Sequence, residues 1–197
     1  MKIALINGSP RYKDSNSECV LTDLKIFLKD HEIEEYRLTK PKVTEQTLQQ
    51  LECADVVVFA FPLYVDSIPS HLLSCLVQME EYFKDKDHAI TVYAIVNSGF
   101  YDAIQNRHAL DIIKHWCAHC QFTFGQGLGI GGGEMLRFLR NVPHGKGPKI
   151  TLTKAYEHLA NTIASRESAD HLFVSPKFPR WLYRLSGSYN WRKMAKA

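Results

Sequence analysis

The chain has 197 residues, of which 45% are hydrophobic and 23% charged, and its formal net charge is +3. This length predicts one domain with a substantial core, and no segment reaches the roughly 18 uncharged apolar residues that a membrane span needs. Residues 176–197 hold six basic and no acidic side chains, which leaves 18 basic and 21 acidic side chains in residues 1–175. A body so close to neutral argues against a nucleic-acid-binding domain.

The five cysteines are an odd number, which does not predict a disulfide framework. We therefore expect a reduced, cytoplasmic protein, and the short apolar run at residues 3–6 predicts a strand rather than a signal sequence. Cys117 and Cys120 form a Cys-x-x-Cys pair with His115 close by. A structural zinc site needs a second ligand pair at suitable spacing. The sequence has none, so we predict no metal site and expect both cysteines to pack near a helix end.

Apolar periodicity predicts strands that alternate with helices. The predicted strands are 2–7, 32–38, 54–61, 90–97 and 122–128. The predicted helices are 17–29, 44–52, 70–83, 102–119 and 154–165. This alternation predicts a parallel sheet with helices on both faces, in a doubly wound arrangement of flavodoxin or Rossmann type. Ligands of such sheets bind beyond the carboxyl ends of the strands. The site is therefore expected in loops 8–17, 61–69, 97–102 and 125–148.

Residues 8–17 form a polar loop that leads into the first predicted helix. Its hydroxyl, amide and guanidinium donors are Ser9, Arg11, Ser15, Asn16 and Ser17. A helix N-terminus presents unpaired N–H groups and a positive dipole end, which favour a phosphate. The same residue types are common N-caps, so the loop alone leaves a phosphate site and a helix cap as equal alternatives. It has no Walker or Rossmann glycine motif, and it lacks the cysteine of a small tyrosine phosphatase loop.

Three loops together carry a family resemblance. The first contains Gly8-Ser9-Pro10-Arg11 and Ser15-Asn16-Ser17, the second runs from Pro62-Leu63-Tyr64 to Pro69, and the third is Asn97-Ser98-Gly99-Phe100-Tyr101. With these motifs the chain resembles the NADPH-dependent FMN reductases of the flavodoxin-like superfamily, over about residues 1–165. The resemblance implies a flavodoxin-like, doubly wound five-stranded parallel sheet in the order 2-1-3-4-5.

The resemblance also implies an activity and a set of binding residues. Bound FMN would take hydride from NAD(P)H and pass electrons to a flavin, quinone, nitro or azo compound, in a homodimer and with no catalytic side chain. The FMN phosphate would be bound by Ser9, Arg11, Ser15, Asn16 and Ser17. The isoalloxazine ring would be lined by Pro62, Leu63, Tyr64, Val65, Asp66, Asn97, Ser98, Gly99, Phe100 and Tyr101. A flavodoxin-type electron carrier is the alternative, although such carriers present acidic faces and this chain has a pI near 8.5.

Two segments have open roles. Residues 125–147 hold eight of the eleven glycines, which predicts either a cap over the site, the interpretation we favour, or a flexible connection.

Residues 1–175 are predicted to form the FMN-binding domain, and residues 176–197 a basic tail. The tail has apolar side chains at near-helical spacing: Phe178, Trp181, Leu182, Leu185 and Tyr189. We expect the tail to pack on a partner subunit. The alternatives are that it packs on the rest of its own chain or on a membrane surface.

Overall fold

The computed structural model describes residues 1–183 and residue 185, and in this part of the chain six strands form one parallel sheet. The strands are β1 (Lys2–Asn7), β2 (Glu32–Arg37), β3 (Val56–Pro62), β4 (Thr91–Asn97), β5 (Thr123–Ile130) and β6 (Leu172–Val174). Their order is β2-β1-β3-β4-β5-β6. The helices are α1 (Asn16–Lys25), α2 (Glu45–Glu52), α3 (Ser70–Phe83), α4 (Arg107–His119) and α5 (Ile150–Ser165). The predicted α/β class with a parallel sheet is therefore confirmed.

Apolar side chains on both faces of the sheet bury two layers of core. On one face, α2, α3 and α4 pack over residues such as Phe59 and Val92. On the other, α1 and α5 pack over residues such as Val58 and Ile95. β3 is buried throughout its apolar run because successive side chains point to opposite layers. These two layers leave the carboxyl ends of the strands as the open edge of the domain.

The predicted number of strands is wrong, because the sheet has six strands and not five. A sixth strand, β6, pairs with the edge of β5, where Leu128 lies opposite Leu172 and Ile130 lies opposite Val174. Its three residues are only half-buried. So short a segment offers too few positions for the alternation by which a strand is identified in a sequence.

The prediction of a single long loop at 125–148 is also wrong, because the first part of this segment belongs to β5. Glycine weakens a strand, yet it also lets neighbours approach the backbone closely. A Cβ at Gly125 would lie 2.4 Å from the Tyr93 ring, and one at Gly129 would lie 2.7 Å from the Phe173 ring. The glycines of this strand therefore serve close packing, and the sequence pattern that they produce resembles that of a loop.

The helix predicted at 102–119 begins with a 3₁₀ turn, Ala103–Asn106, before α4. The buried amide of Asn106 donates to the carbonyl of Ala103 at 2.9 Å and to that of Ile130 at 3.2 Å. A side chain bonded to the backbone competes with regular helical hydrogen bonds. This competition explains why the apolar pattern predicts an α-helix that is longer than the observed one. Smaller differences occur at helix ends: the helix predicted at 17–29 ends at Lys25, and the one predicted at 154–165 begins at Ile150.

Candidate functional site

A cleft of about 200 Å³ lies at the carboxyl ends of β1, β3 and β4. It is lined by residues from the first loop and from the segments after β3, β4 and β5. These residues are Ser9, Arg11, Ser15, Asn16, Ser17, Pro62, Leu63, Tyr64, Asn97, Gly99, Glu134 and Arg137. β1 pairs with both β2 and β3, so the cleft lies where the strand order reverses. This is the place at which doubly wound sheets bind ligands.

Two serine hydroxyls of the first loop accept hydrogen bonds from the chain and retain their own protons. Ser15, the N-cap of α1, accepts from the N–H of Glu18 at 3.0 Å. Ser9 Oγ accepts from the N–H of Arg11 at 3.3 Å. A hydroxyl has one donor in addition to its two acceptor positions, so each serine can still donate to an anion. Ser15 therefore caps the helix, and its cap bond leaves free the donor that a phosphate would need.

Asn97 links the end of β4 to the start of α1. Its buried amide donates to Ser17 Oγ and to the carbonyl of Phe61, both at 3.0 Å. Ser17 therefore also accepts and keeps a proton to donate. Within residues 1–183 and 185, the backbone N–H groups of Asn16 and Ser17 have no acceptor, as the first turn of a helix requires. At the start of α1, the cleft thus combines serine hydroxyls with main-chain N–H groups that have no acceptor in the described part of the chain.

The segment after β3 gives the cleft an apolar wall. Pro62, Leu63 and Tyr64 line it, and the ring of Tyr64 is half exposed. The N–H of Leu63 donates to the carbonyl of Asn97 at 2.8 Å, and Tyr64 exchanges two hydrogen bonds of 3.0 Å with Ser67. These bonds fix the position of the wall relative to β4. They also use the N–H groups of Leu63 and Tyr64, which are therefore not available to a ligand.

Val65 and Asp66 form the tip of this tight turn. Their φ angles are 49° and 57°, the pattern of a type I′ turn. A positive φ is unfavourable for a β-branched residue such as Val65, and strain of this kind is concentrated at functional sites. Both side chains lie outside the cleft lining, and that of Val65 is 99% exposed. Their backbone N–H groups have no acceptor among the described residues.

The third predicted loop contributes Asn97 and Gly99 to the lining, whereas Ser98, Phe100 and Tyr101 lie outside it. Ser98 is buried and bonded through its backbone, because its N–H donates to the carbonyl of Ile130 at 2.9 Å. Phe100 is 56% exposed. The hydroxyl of Tyr101 donates to the carbonyl of Phe178 at 2.6 Å. In this loop the predicted residues are adjacent to the cleft, but only two of them line it.

Glu134 and Arg137 line the cleft and were not predicted from the sequence. They lie just after the left-handed Gly132, on a segment that begins with a 3₁₀ turn, Gly133–Met135. The N–H of Gly133 donates to the carbonyl of Ser98 at 2.7 Å, and a Cβ at Gly133 would lie 2.8 Å from that same oxygen. The glycine-rich composition indicated a cap over the site, but neither charged residue belongs to a motif that could have singled it out.

The segment that follows β6 packs on the third loop. The Ser175 hydroxyl donates to the carbonyl of Tyr101 at 2.5 Å, and the guanidinium of Arg180 forms an ion pair with Asp102. The hydroxyl of Tyr183 donates to the carbonyl of Gly99 at 2.6 Å. Burial, followed by the nearby charge of Glu134, raises the pKa of Tyr183 to about 12. This part of the predicted tail therefore contacts the body of its own chain, whereas Tyr189 lies outside the described residues.

The cysteines of α4 and the following turn are buried thiols. Cys117 and Cys120 both have no exposed surface, and burial raises the pKa of Cys117 well above its usual range and that of Cys120 to about 12. All five cysteines are free. In the described part of the chain, no group of three or more His, Cys, Asp and Glu side chains has the arrangement of a metal site. Across those same residues, no helix combines the length and apolar character required to cross a bilayer.

Comparison with known proteins supports a flavodoxin-like fold. A family model described as flavodoxin-like fold matches residues 1–76, and no curated protein sequence matches the chain. An NADPH-quinone reductase from P. pentosaceus is similar, with a TM-score of 0.59 and 17% identity, over 81% of this chain and 98% of that one. A flavone reductase has a TM-score of 0.58 and 9% identity, over 86% of this chain and 66% of its own.

A third similar structure contains bound FMN. It is an FMN-dependent NADH-azoreductase from Bacillus anthracis str. Ames Ancestor in complex with FMN, with a TM-score of 0.52 and 17% identity. The match covers 83% of this chain and all of that one. At these identities the likenesses establish the fold, and they agree with the flavodoxin-like resemblance seen in the sequence motifs.

Proposed function

We propose that this protein is an FMN-dependent NAD(P)H oxidoreductase that reduces a small acceptor such as a flavin, a quinone, a nitro compound or an azo compound. The observation that carries the proposal is the cleft itself, because it unites three loops that the resemblance assigns to one cofactor. The similar quinone reductase and azoreductase structures support acceptors of this kind.

The residues present fit the two chemically different ends of FMN. The hydroxyls of Ser9, Ser15 and Ser17 each retain a donor, and Arg11 lines the same cleft. Such donors suit a phosphate at the N-terminus of a helix. The wall that contains Leu63 adds apolar surface, which a flat tricyclic ring requires.

The chain's own residues bind and orient the cofactor. The N–H groups of Val65, Asp66, Gly99 and Phe100 have no acceptor in the part of the chain that the structure describes and can meet the polar edge of the ring, so we retain Val65, Asp66 and Phe100 as main-chain contacts. Fixed backbone donors stabilise negative charge without reorganisation. When bound, FMN supplies the redox chemistry by accepting a hydride from the nicotinamide and returning electrons to the second substrate. No side chain of the cleft is assigned as an acid or base.

We propose that residues 1–175 form the FMN-binding domain and that the tail packs against it or against a second subunit of a homodimer. Exposed apolar side chains beside the cleft support the subunit contact; they are Tyr64, Val65, Phe100 and Phe138. The five free cysteines suit a reducing cytoplasmic location.

Anaerobic mixing of the FMN-loaded protein with NADPH or NADH tests the proposed activity. We expect the visible flavin band to bleach faster than that of the same concentration of free FMN, and steady turnover after a quinone or azo acceptor is added. Free FMN with each nicotinamide is the control. Bound FMN that neither nicotinamide reduces would contradict the enzyme proposal and favour the electron-carrier alternative.

A further inference from the structure

Two arginines that are far apart in the sequence face the same cleft. Arg11 comes from the first loop and Arg137 from the segment after β5. Neither has a carboxylate within 4 Å among the described residues, whereas neighbouring Arg140 is paired with Asp14 at 2.9 Å. Among the lining residues, Glu134 is the carboxylate, and it lies beside Gly99 of the third loop. The cleft is therefore lined by two arginines that form no ion pair within residues 1–183 and 185.

The Asp14 carboxyl of the first loop interacts electrostatically with both arginines. The pKa of the Asp14 carboxyl is lowered first by its hydrogen bond to Arg140, and also by the charges of Arg11 and Arg137. Asp14 directly precedes Ser15, the N-cap of α1. The residues at the start of α1 and both arginines line the same cleft.

The backbone that carries Arg137 is held firmly on both sides. Leu136 and Leu139 are buried in the core layer formed with α1 and α5. The preceding Gly132 donates its N–H to the carbonyl of Phe100. This alternation of buried and exposed positions leaves Arg137 directed outward from a fixed segment. The planar guanidinium fork of an arginine loses comparatively little freedom for each hydrogen bond that it forms with an anion.

We propose that Arg137 is a second phosphate ligand and that, with Arg11, it makes the site selective for the phosphomonoester of FMN. This inference rests on the proposed function and deepens it. A phosphomonoester carries nearly two negative charges at neutral pH, which matches two guanidinium groups and a helix N-terminus. Riboflavin has no phosphate. FAD presents a diester with a smaller charge at that position and a second nucleotide.

The test is a fluorescence titration of wild-type protein and of Arg137→Ala with FMN and with riboflavin. For FMN we expect Kd to rise about 10- to 100-fold in the variant, the range for a lost hydrogen bond to a charged group. For riboflavin we expect Kd to change less than about twofold. Arg107→Ala is the matched control, because Arg107 is an exposed arginine at the start of α4, outside the cleft.

Each other outcome has a distinct meaning. Wild-type protein that binds neither flavin contradicts the proposed function and this inference together. Wild-type protein that binds FMN, with Arg137→Ala unchanged, contradicts the inference alone. An equal loss of FMN and riboflavin binding in Arg137→Ala also contradicts it, because Arg137 would then act on the ring or on the fold rather than on the phosphate.

Discussion

The hydroxyl of Tyr183 donates a hydrogen bond of 2.6 Å to the carbonyl oxygen of Gly99. The bond joins the segment after β6 to the loop after β4, across 84 positions of the sequence. The rings of Tyr183 and Tyr101 also pack together, with centroids 5.6 Å apart. The last described residues of the chain therefore help to fix the loop that lines the cleft at Gly99.

Replacing Tyr183 by Phe removes this bond and keeps the ring. Because a neutral hydrogen bond contributes about 0.5–1.5 kcal/mol, we expect FMN to bind about 2- to 10-fold more weakly through a less ordered third loop. Tyr82→Phe is the matched control, since its hydroxyl bonds Glu52 at 2.7 Å, outside the cleft. Equal affinity in both variants would show that the bond does not support the site.

Replacing Arg11 by Ala removes a guanidinium from the cleft. We expect FMN affinity to fall by about 1.5–3 kcal/mol, the range for a hydrogen bond to a charged group. Isothermal titration calorimetry measures the change. Lys13→Ala removes a positive charge from the same loop at a residue that does not line the cleft, and it should leave the affinity nearly unchanged. An unaltered affinity in Arg11→Ala would show that Arg11 does not contact the phosphate.

Ionisation of Tyr93 is expected to lower the free energy of unfolding at alkaline pH. Its buried hydroxyl has one proton to donate, shared between the carbonyl oxygens of Thr162 at 2.8 Å and Glu167 at 2.9 Å. Burial raises the pKa of Tyr93 to about 12. The folded state therefore holds this proton more tightly than the unfolded state. The contribution to stability is complete below about pH 10 and is lost as the pH rises towards 12.

Urea unfolding of wild-type protein and Tyr93→Phe across this range tests that contribution. At pH 7 we expect the variant to be less stable by about 1–2 kcal/mol, because two carbonyl oxygens lose the one donor that they share. The difference should shrink between pH 10 and 12. Tyr12→Phe, at a side chain that is 69% exposed, is the control. A difference between Tyr93→Phe and wild type that stays constant up to pH 12 would be evidence against this linkage.

Thiol labelling tests the assignment of the cysteines. Cys53 is exposed, and the other four are buried, so we expect a disulfide reagent to modify one thiol rapidly in the native protein and all five after unfolding. Cys53→Ser should abolish the rapid phase. Burial raises the pKa of Cys117 and Cys120, which keeps them as unreactive thiols. Rapid modification of either would instead indicate an accessible redox pair.

The sequence predicted the parts of the molecule whose signals are local. Strand β1 and helix α3 have the predicted bounds, because their apolar patterns are continuous. The residues of the first loop lie together in the cleft for a similar reason, since a loop between a strand and its helix can occupy only one edge of the sheet.

Features that depend on distant contacts were not predictable in this way. The glycines of β5 resemble a loop until Tyr93 and Phe173 are seen to occupy the space beside them. Arg137 has no sequence motif, and its place in the cleft follows from the buried leucines that surround it in the chain. The contact of Tyr183 with Gly99 likewise requires the fold before it can be recognised.

An absorption titration of the purified protein with FMN tests whether the cleft binds this cofactor. We expect the visible flavin bands to shift on binding and to saturate at one FMN per chain, because the cleft offers phosphate donors at the start of α1 and an apolar wall at Leu63. A spectrum that remains that of free FMN throughout the titration would contradict this expectation.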